Sequence, residues 1–362
     1  LQHYGLTTLS LALAGNRRFL ATAMDKDECT WEGIECDSSK RIISLDWSDK
    51  FLHGELPHEI GLLASIEEIR FGGNSIQGGI PSTIGYLSKL KVLDLHGNFL
   101  DESLPTEITS CGNVEELDLS GNEFIMELPQ SIGALQKLKY LRLGDNYFHG
   151  SIPNSYYSLQ SLLVLSMEQN SLSGSLKSDI SQLENLVILR LESNELTQLH
   201  PDIGKLKKLQ ELDLRSNLFN HDLPTTISGL TKAIYIRLGG NQFRGGIPHF
   251  GPGSNLLQHL DLSNNDLTGN VPSSLSNCKK LRTLLLHTNK LTGGVPDELK
   301  QLSELREFRI EGNSLTEDVS QTVCDGLISI KDFSSDCAER MNCTCCTECC
   351  NKEQCLPNTN NQ

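Results

Sequence analysis

An asparagine returns through this chain at a nearly fixed step. It stands at Asn74, Asn98, Asn122, Asn146, Asn170, Asn194, Asn217, Asn241, Asn265, Asn289 and Asn313. Every step is 24 residues except the 23 between Asn194 and Asn217, and one step before Asn74 lies Lys50 in a degenerate copy, "IISLDWSDK". Twelve copies of one pattern, LxxLxxLxLxxN, thus span about residues 39–325. The whole chain has 362 residues, more than one ordinary core accommodates. A repeat removes that difficulty, because each copy needs only its neighbours.

The chemistry of one copy sets its shape. In "xLxLxx" leucines alternate with variable residues, which is strand periodicity with one buried face. The asparagine follows, and its amide can bond backbone groups of adjoining turns where a bend removes ladder bonds. A second half such as "NQFRGGIPHF" comes next: glycine permits a turn, proline forbids a regular helix interior, and a later apolar residue points back inside. No copy can bury its leucines alone, so the expectation is a stacked α/β-class solenoid with one continuous parallel sheet.

These copies resemble the leucine-rich repeat family, in particular its plant-type extracellular subclass with LxGxIP in the second half. Matches include "SIQGGIP" (Ser75–Pro81), "YFHGSIP" (Tyr147–Pro153), "QFRGGIP" (Gln242–Pro248) and "KLTGGVP" (Lys290–Pro296). The resemblance implies a right-handed superhelix with the sheet on its concave face, capped at both ends. It divides the chain into an N-terminal cap over 1–38, repeats over 39–325 and a cysteine-rich C-terminal cap and tail over 326–362. "ECTWEGIEC" is similar to the CxWxGxxC cap of these relatives, which implies a bridge between Cys29 and Cys36 with Trp31 in the cap core. Before it, Leu6, Leu9, Leu13 and Leu20 suit one helix face or two short helices.

At the other end Ile328, Ile330 and Phe333 suit a last degenerate strand stapled by Cys324 and Cys337. Cys343, Cys345, Cys346, Cys349, Cys350 and Cys355 follow within "MNCTCCTECCNKEQC". That run resembles the tails of leucine-rich repeat proteins of diatoms and related algae. So dense a set suits a soft-metal cage or a disulfide knot. The oxidising compartment implied by the N-terminal cap favours disulfides, with 15 connectivities open and no metal. Cys111 and Cys278 replace a leucine at the start of a copy and are expected to be buried free thiols.

Composition narrows the function. A formal net charge of −15 disfavours binding to nucleic acid or an anionic membrane surface. No apolar run approaches the roughly 18 residues of a spanning helix. The chain opens on Leu1, which reads as a processed product whose leader or anchor lies outside it. The 10 histidines are scattered, and no HExxH, GxSxG, P-loop or dinucleotide fingerprint occurs, so neither an enzyme nor a cofactor is expected.

The middle x of LxL reads Asp46, Arg70, Asp94, Asp118, Arg142, Ser166, Arg190, Asp213, Arg237, Asp261, Leu285, Arg309. Neighbouring strands would make this a ladder of ion pairs, Arg70–Asp94, Asp118–Arg142 and Arg190–Asp213–Arg237–Asp261. The competing reading is a contact surface. Tyr140, Val164, Ile188 and Tyr235 occupy the position before the first strand leucine, beside Arg142, Glu168, Arg190, Glu192, Arg215 and Arg237. Aromatic, apolar and arginine side chains together make the usual hot-spot composition. The family resemblance implies an extracellular, receptor-like module that takes a protein, peptide or glycan on this face, with a co-receptor as a further partner. A secreted inhibitor of a wall-degrading enzyme and an adhesive cell-surface protein are the alternatives.

Overall fold

The computed structural model describes residues 1–13, 27–315, 330–336, 346–350 and 355–357. The chain divides into two compact units, Leu1–Ser173 and Gly174–Gln362.

In the first unit the strands Ile42–Asp46, Glu68–Arg70, Val92–Asp94, Glu116–Asp118, Tyr140–Arg142 and Val164–Ser166 pair in parallel, residue against residue. Leu45, Ile69, Leu93, Leu117, Leu141 and Leu165 therefore form one row, each at most 1% exposed. A slip of one residue would turn that row to solvent, which fixes the register. Short 3₁₀ turns such as Ser82–Tyr86 and Thr106–Ser110 follow the prolines and bury Ile84 and Ile108. The unit begins with a helix, Gln2–Ala12, whose Leu6 and Leu9, with Leu13 just beyond it, are wholly buried. Leu20 lies outside the described residues. Ile34–Cys36 adds an antiparallel edge strand, and Cys29 and Cys36 are disulfide-bonded. The tryptophan that fills the core is Trp47, stacked on Phe71, rather than Trp31, which is only half-buried.

The second unit repeats the arrangement. Ile188–Arg190, Glu211–Asp213, Tyr235–Arg237, His259–Asp261, Thr283–Leu285, Glu307–Arg309 and Asp332–Asp336 are parallel and in register. Phe333 is fully buried and stacks on Phe308, so the degenerate last strand forms, while Ile330 is half-buried. Glu348–Cys350 continues the sheet in parallel, and Cys355–Pro357 turns back against it. Cys346 is buried and disulfide-bonded. Ile328, Cys324, Cys337, Cys343 and Cys345 fall outside the described residues, as do the side chains of Cys349, Cys350 and Cys355.

The asparagines join the copies. Each Nδ2 donates to a carbonyl of its own turn, and wherever both copies lie in one unit also to one 26 or 27 residues back. Wherever both copies lie in one unit, Oδ1 accepts a backbone N–H from the preceding copy, as from Leu100 to Asn122. The residue before each of the eleven asparagines is left-handed, as is Asp49 (φ 56°) before Lys50 in the first copy, and the run ends at Gly312 (φ 69°). Thr288 holds that place with φ 55°, an unfavourable conformation for a β-branched side chain. Thr288→Gly is expected to stabilise the second unit by about 1 kcal/mol, the relieved strain exceeding the added unfolded-state entropy. A raised denaturation midpoint checks this.

Cys111 and Cys278 are free and buried, and burial pushes their thiols up to about 11 and about 12. They stay protonated near neutrality, and the Cys111 thiol donates to the Ile84 carbonyl at 3.1 Å.

Candidate recognition face

In the second unit, residues 190, 213 and 237 project to the solvent side of adjoining strands and knit into one network. Glu211 accepts from Arg190 (Nε 3.1 Å, Nη2 3.0 Å) and from Arg237 (Nη1 2.9 Å). Arg237 also reaches Asp213 at 3.3 Å, and Arg215 grips the same Asp213 through Nε and Nη2 at 2.9 and 2.7 Å. The Asp213 carboxylate is only 2% exposed, and its hydrogen bond, then its charge with those of Glu192 and Asp261, raises the Arg215 guanidinium above its ordinary value. Tyr235 stacks on His259 with centroids 4.7 Å apart, and the Arg237 guanidinium lies 4.6 Å from the Tyr235 centroid. Burial, then the charges of Arg237 and Arg282, lower the His259 pKa, so it presents a neutral ring near neutral pH.

The ladder forms in part as expected, with Asp118–Arg142 at 3.6 Å and Asp213–Arg237 at 3.3 Å, and elsewhere with other partners. Arg190 pairs with Glu211 instead of Asp213, which Arg215 already occupies. In the first unit Arg70 lies 3.5 Å from Glu68 and 4.0 Å from Glu116, not on Asp94. Arg142 contacts Glu116 at 2.7 Å as well as Asp118 at 3.6 Å. The common reason is geometric. A glutamate two positions before the strand residue shares its face and carries one more methylene, so it comes closer to Arg142 and Arg237 than the aspartates that also reach them.

Tyr140 and Arg142 repeat the aromatic–arginine pairing in the first unit, at 5.5 Å. Val164 sits on the adjoining strand. Glu168 accepts the Ser166 hydroxyl at 2.6 Å and packs where Gly144 has no Cβ, so it is tied down. Val164 in this unit and Ile188 in the second are both half-buried, as are Tyr140 and Tyr235. Sequence reasoning missed His259 as a stacking partner, although its place on the strand after Tyr235 was the available signal. It also missed a depression of about 650 Å³ beside Asp46, Glu68 and Arg70 in the first unit, where Glu32, Glu68 and Glu67 are already paired with Lys50, Arg70 and Lys91.

Residues 184–243 match the family described as Leucine rich repeat, and 89–111, 113–135, 137–159, 256–278 and 280–302 match Leucine Rich Repeat. No curated protein matches the chain. Among solved structures, the plant peptide hormone receptor RGFR1 in complex with RGF2 is 28% identical with a TM-score of 0.76, over 81% of this chain and 46% of that one. The Arabidopsis receptor kinase HAESA ectodomain, in complex with an extended IDA peptide hormone, is 27% identical with a TM-score of 0.73, over 92% and 62%. A leucine-rich repeat protein of Leptospira interrogans is 25% identical with a TM-score of 0.64, over 86% and 88%. The chain thus spans about half of the plant receptor chains it matches. With a parallel strand in every copy, the asparagine ladder and these likenesses, the fold is a leucine-rich-repeat solenoid of the kind seen in plant receptor ectodomains.

Proposed function

We propose that this chain is an extracellular recognition module that binds a peptide or an extended protein segment on the solvent face of its parallel strands. The contact is centred in the second unit on Tyr235, His259, Arg237 and Arg190. The observation that carries this is the Tyr235–His259 stack with Arg237 beside it, braced from beneath by Glu211 and Asp213. Bracing matters because side chains already held in place lose little freedom on binding. The network is close to charge-balanced, which suits a ligand read by stacking and hydrogen bonds more than one held by net charge.

The solved relatives in complex with peptide hormones support a peptide as ligand class. The Cys29–Cys36 bridge supports an oxidising compartment. No helix among the described residues is long and apolar enough to cross a membrane. Residues 1–38 serve as the N-terminal cap, 39–325 as the repeats and 326–362 as the C-terminal cap and tail.

Selection of a displayed random-peptide library on the immobilised protein tests this reading. A selected peptide is expected to slow backbone hydrogen exchange at 235–237 and 259–261. Protection confined to other segments would place the contact elsewhere.

A further inference from the structure

The ladder has one like-charged step. Asp94 and Asp118 face each other directly across adjoining strands, whereas every other acidic residue in that row adjoins an arginine or a neutral side chain within its unit. Like charges placed this way repel. Arg70, the cation that could relieve Asp94, is drawn off to Glu68 and Glu116. Among the described residues the hydrogen bonds to the Asp94 carboxylate all come from His96, from its backbone N–H at 3.1 Å and from Nδ1 at 2.7 Å, and both reach Oδ1. On Asp118, Oδ1 accepts the Ser120 N–H at 3.0 Å and hydroxyl at 2.6 Å, and Oδ2 lies 3.6 Å from Arg142, so among the described residues the imidazole is the one group with a titratable charge that bonds Asp94.

The imidazole is given a place. A Cβ at Gly72 would stand 2.1 Å from His96 Cε1 and 2.2 Å from Nδ1, so the ring occupies space that only glycine leaves open. One donor atom from each of Asp94, His96 and Asp118 lies within 4.8 Å of the others. Three ligands about 2.0–2.2 Å from one ion stand roughly 3.3–3.8 Å apart, so the widest pair has to close by about 1–1.5 Å, shared between two side chains. Asp49 adds a further negative charge toward His96, and the two flanking aspartates are largely buried.

From this geometry we propose that Asp94, His96 and Asp118 form a binding site for a divalent first-row transition ion. One imidazole nitrogen and two carboxylate oxygens suit zinc, cobalt, nickel or copper, whereas calcium and magnesium prefer oxygen alone. The ion takes the lone pair of one nitrogen of the neutral ring, whose single proton then sits on the other nitrogen; from the imidazolium, one proton leaves to solvent. The ion also cancels the repulsion between the two aspartates. Remaining positions on the ion are open to water or to an anionic group of a ligand.

Cobalt(II) alone is the probe, added to the intact, oxidised chain and followed by equilibrium dialysis and visible absorption. Wild type is expected to hold one more cobalt per chain than His96→Gln or Asp118→Asn, with a d–d band that both variants lack. Gly72→Ala keeps every donor but displaces the ring, and is expected to weaken cobalt about tenfold. Zinc should displace the cobalt, and millimolar calcium or magnesium should not. Comparing variants removes any cobalt taken up elsewhere in the chain. Equal stoichiometry and spectra in wild type and either folded variant would overturn the site. So would displacement by calcium or magnesium as effective as by zinc.

Discussion

Replacing Asn122 by alanine is expected to destabilise the first unit by about 3–5 kcal/mol, far beyond the loss of one exposed amide. Asn122 is 5% exposed. Its Oδ1 accepts the Leu100 N–H at 3.0 Å, and its Nδ2 donates to the carbonyls of Leu95, Leu119 and Ser120. Alanine leaves the Leu100 N–H without a partner in a buried pocket, which costs about 1–3 kcal/mol, and takes one donor from each of the Leu95, Leu119 and Ser120 carbonyls, which keep Asn98, Asn146 and Gly97 and lose about 1 kcal/mol apiece. Asn122→Asp should do no better, since it keeps the acceptor but loses both donor hydrogens and buries a charge. Urea denaturation followed by circular dichroism measures the shift. Because repeat arrays lose cooperativity when one interface weakens, the slope should fall along with the midpoint.

A comparable loss is expected from Phe219→Ala in the second unit, about 3–5 kcal/mol, for a different reason. Phe219 is fully buried and stacks on Phe243 with centroids 5.3 Å apart. It also meets His221 edge-on. That histidine repairs an irregularity. The 23-residue copy lacks the Gly-x-Ile-Pro element, and its Leu199 N–H donates to His221 Nε2 at 2.8 Å, while the Nδ1–H donates to the Asp222 carbonyl. Removing Phe219 opens a cavity and frees the ring that holds this bond. His221→Ala alone should cost about 1–3 kcal/mol, the loss of one acceptor for a buried donor. If the two substitutions summed independently, Phe219 would not be what positions His221.

The fold was legible because its cause is local and repeated. Leucine spacing names the buried row, and the asparagine step names the stacking distance, so Leu93, Leu117 and Leu141 could be placed without coordinates. The left-handed residue before each asparagine was less visible, since Asp145, Gln169, Ser216 and Thr288 take that conformation as well as glycine. The face was harder. A one-letter row suggests that each arginine meets the aspartate beside it, but side-chain length decides, and Glu116 and Glu211 win the arginines. That Val164 and Ile188 are half-buried was not legible either, because sequence reports which face a residue takes, not how far its neighbours cover it. His96 was set aside as one of ten scattered histidines for a related reason. Its significance depends on Gly72, one copy earlier, and on Asp118, one copy later.

The central claim is that the Tyr235 face is where a ligand binds. Its most direct test is the affinity of one library-selected peptide for matched variants. Tyr235→Ala and Arg190→Ala should each weaken binding at least about tenfold, as removal of a hot-spot side chain does, while melting temperatures stay near wild type. Tyr86→Ala and Tyr147→Ala remove exposed aromatics away from this face and should leave affinity unchanged. Wild-type affinity in a Tyr235→Ala, His259→Ala double variant, or a tenfold loss from Tyr86→Ala, would contradict the assignment.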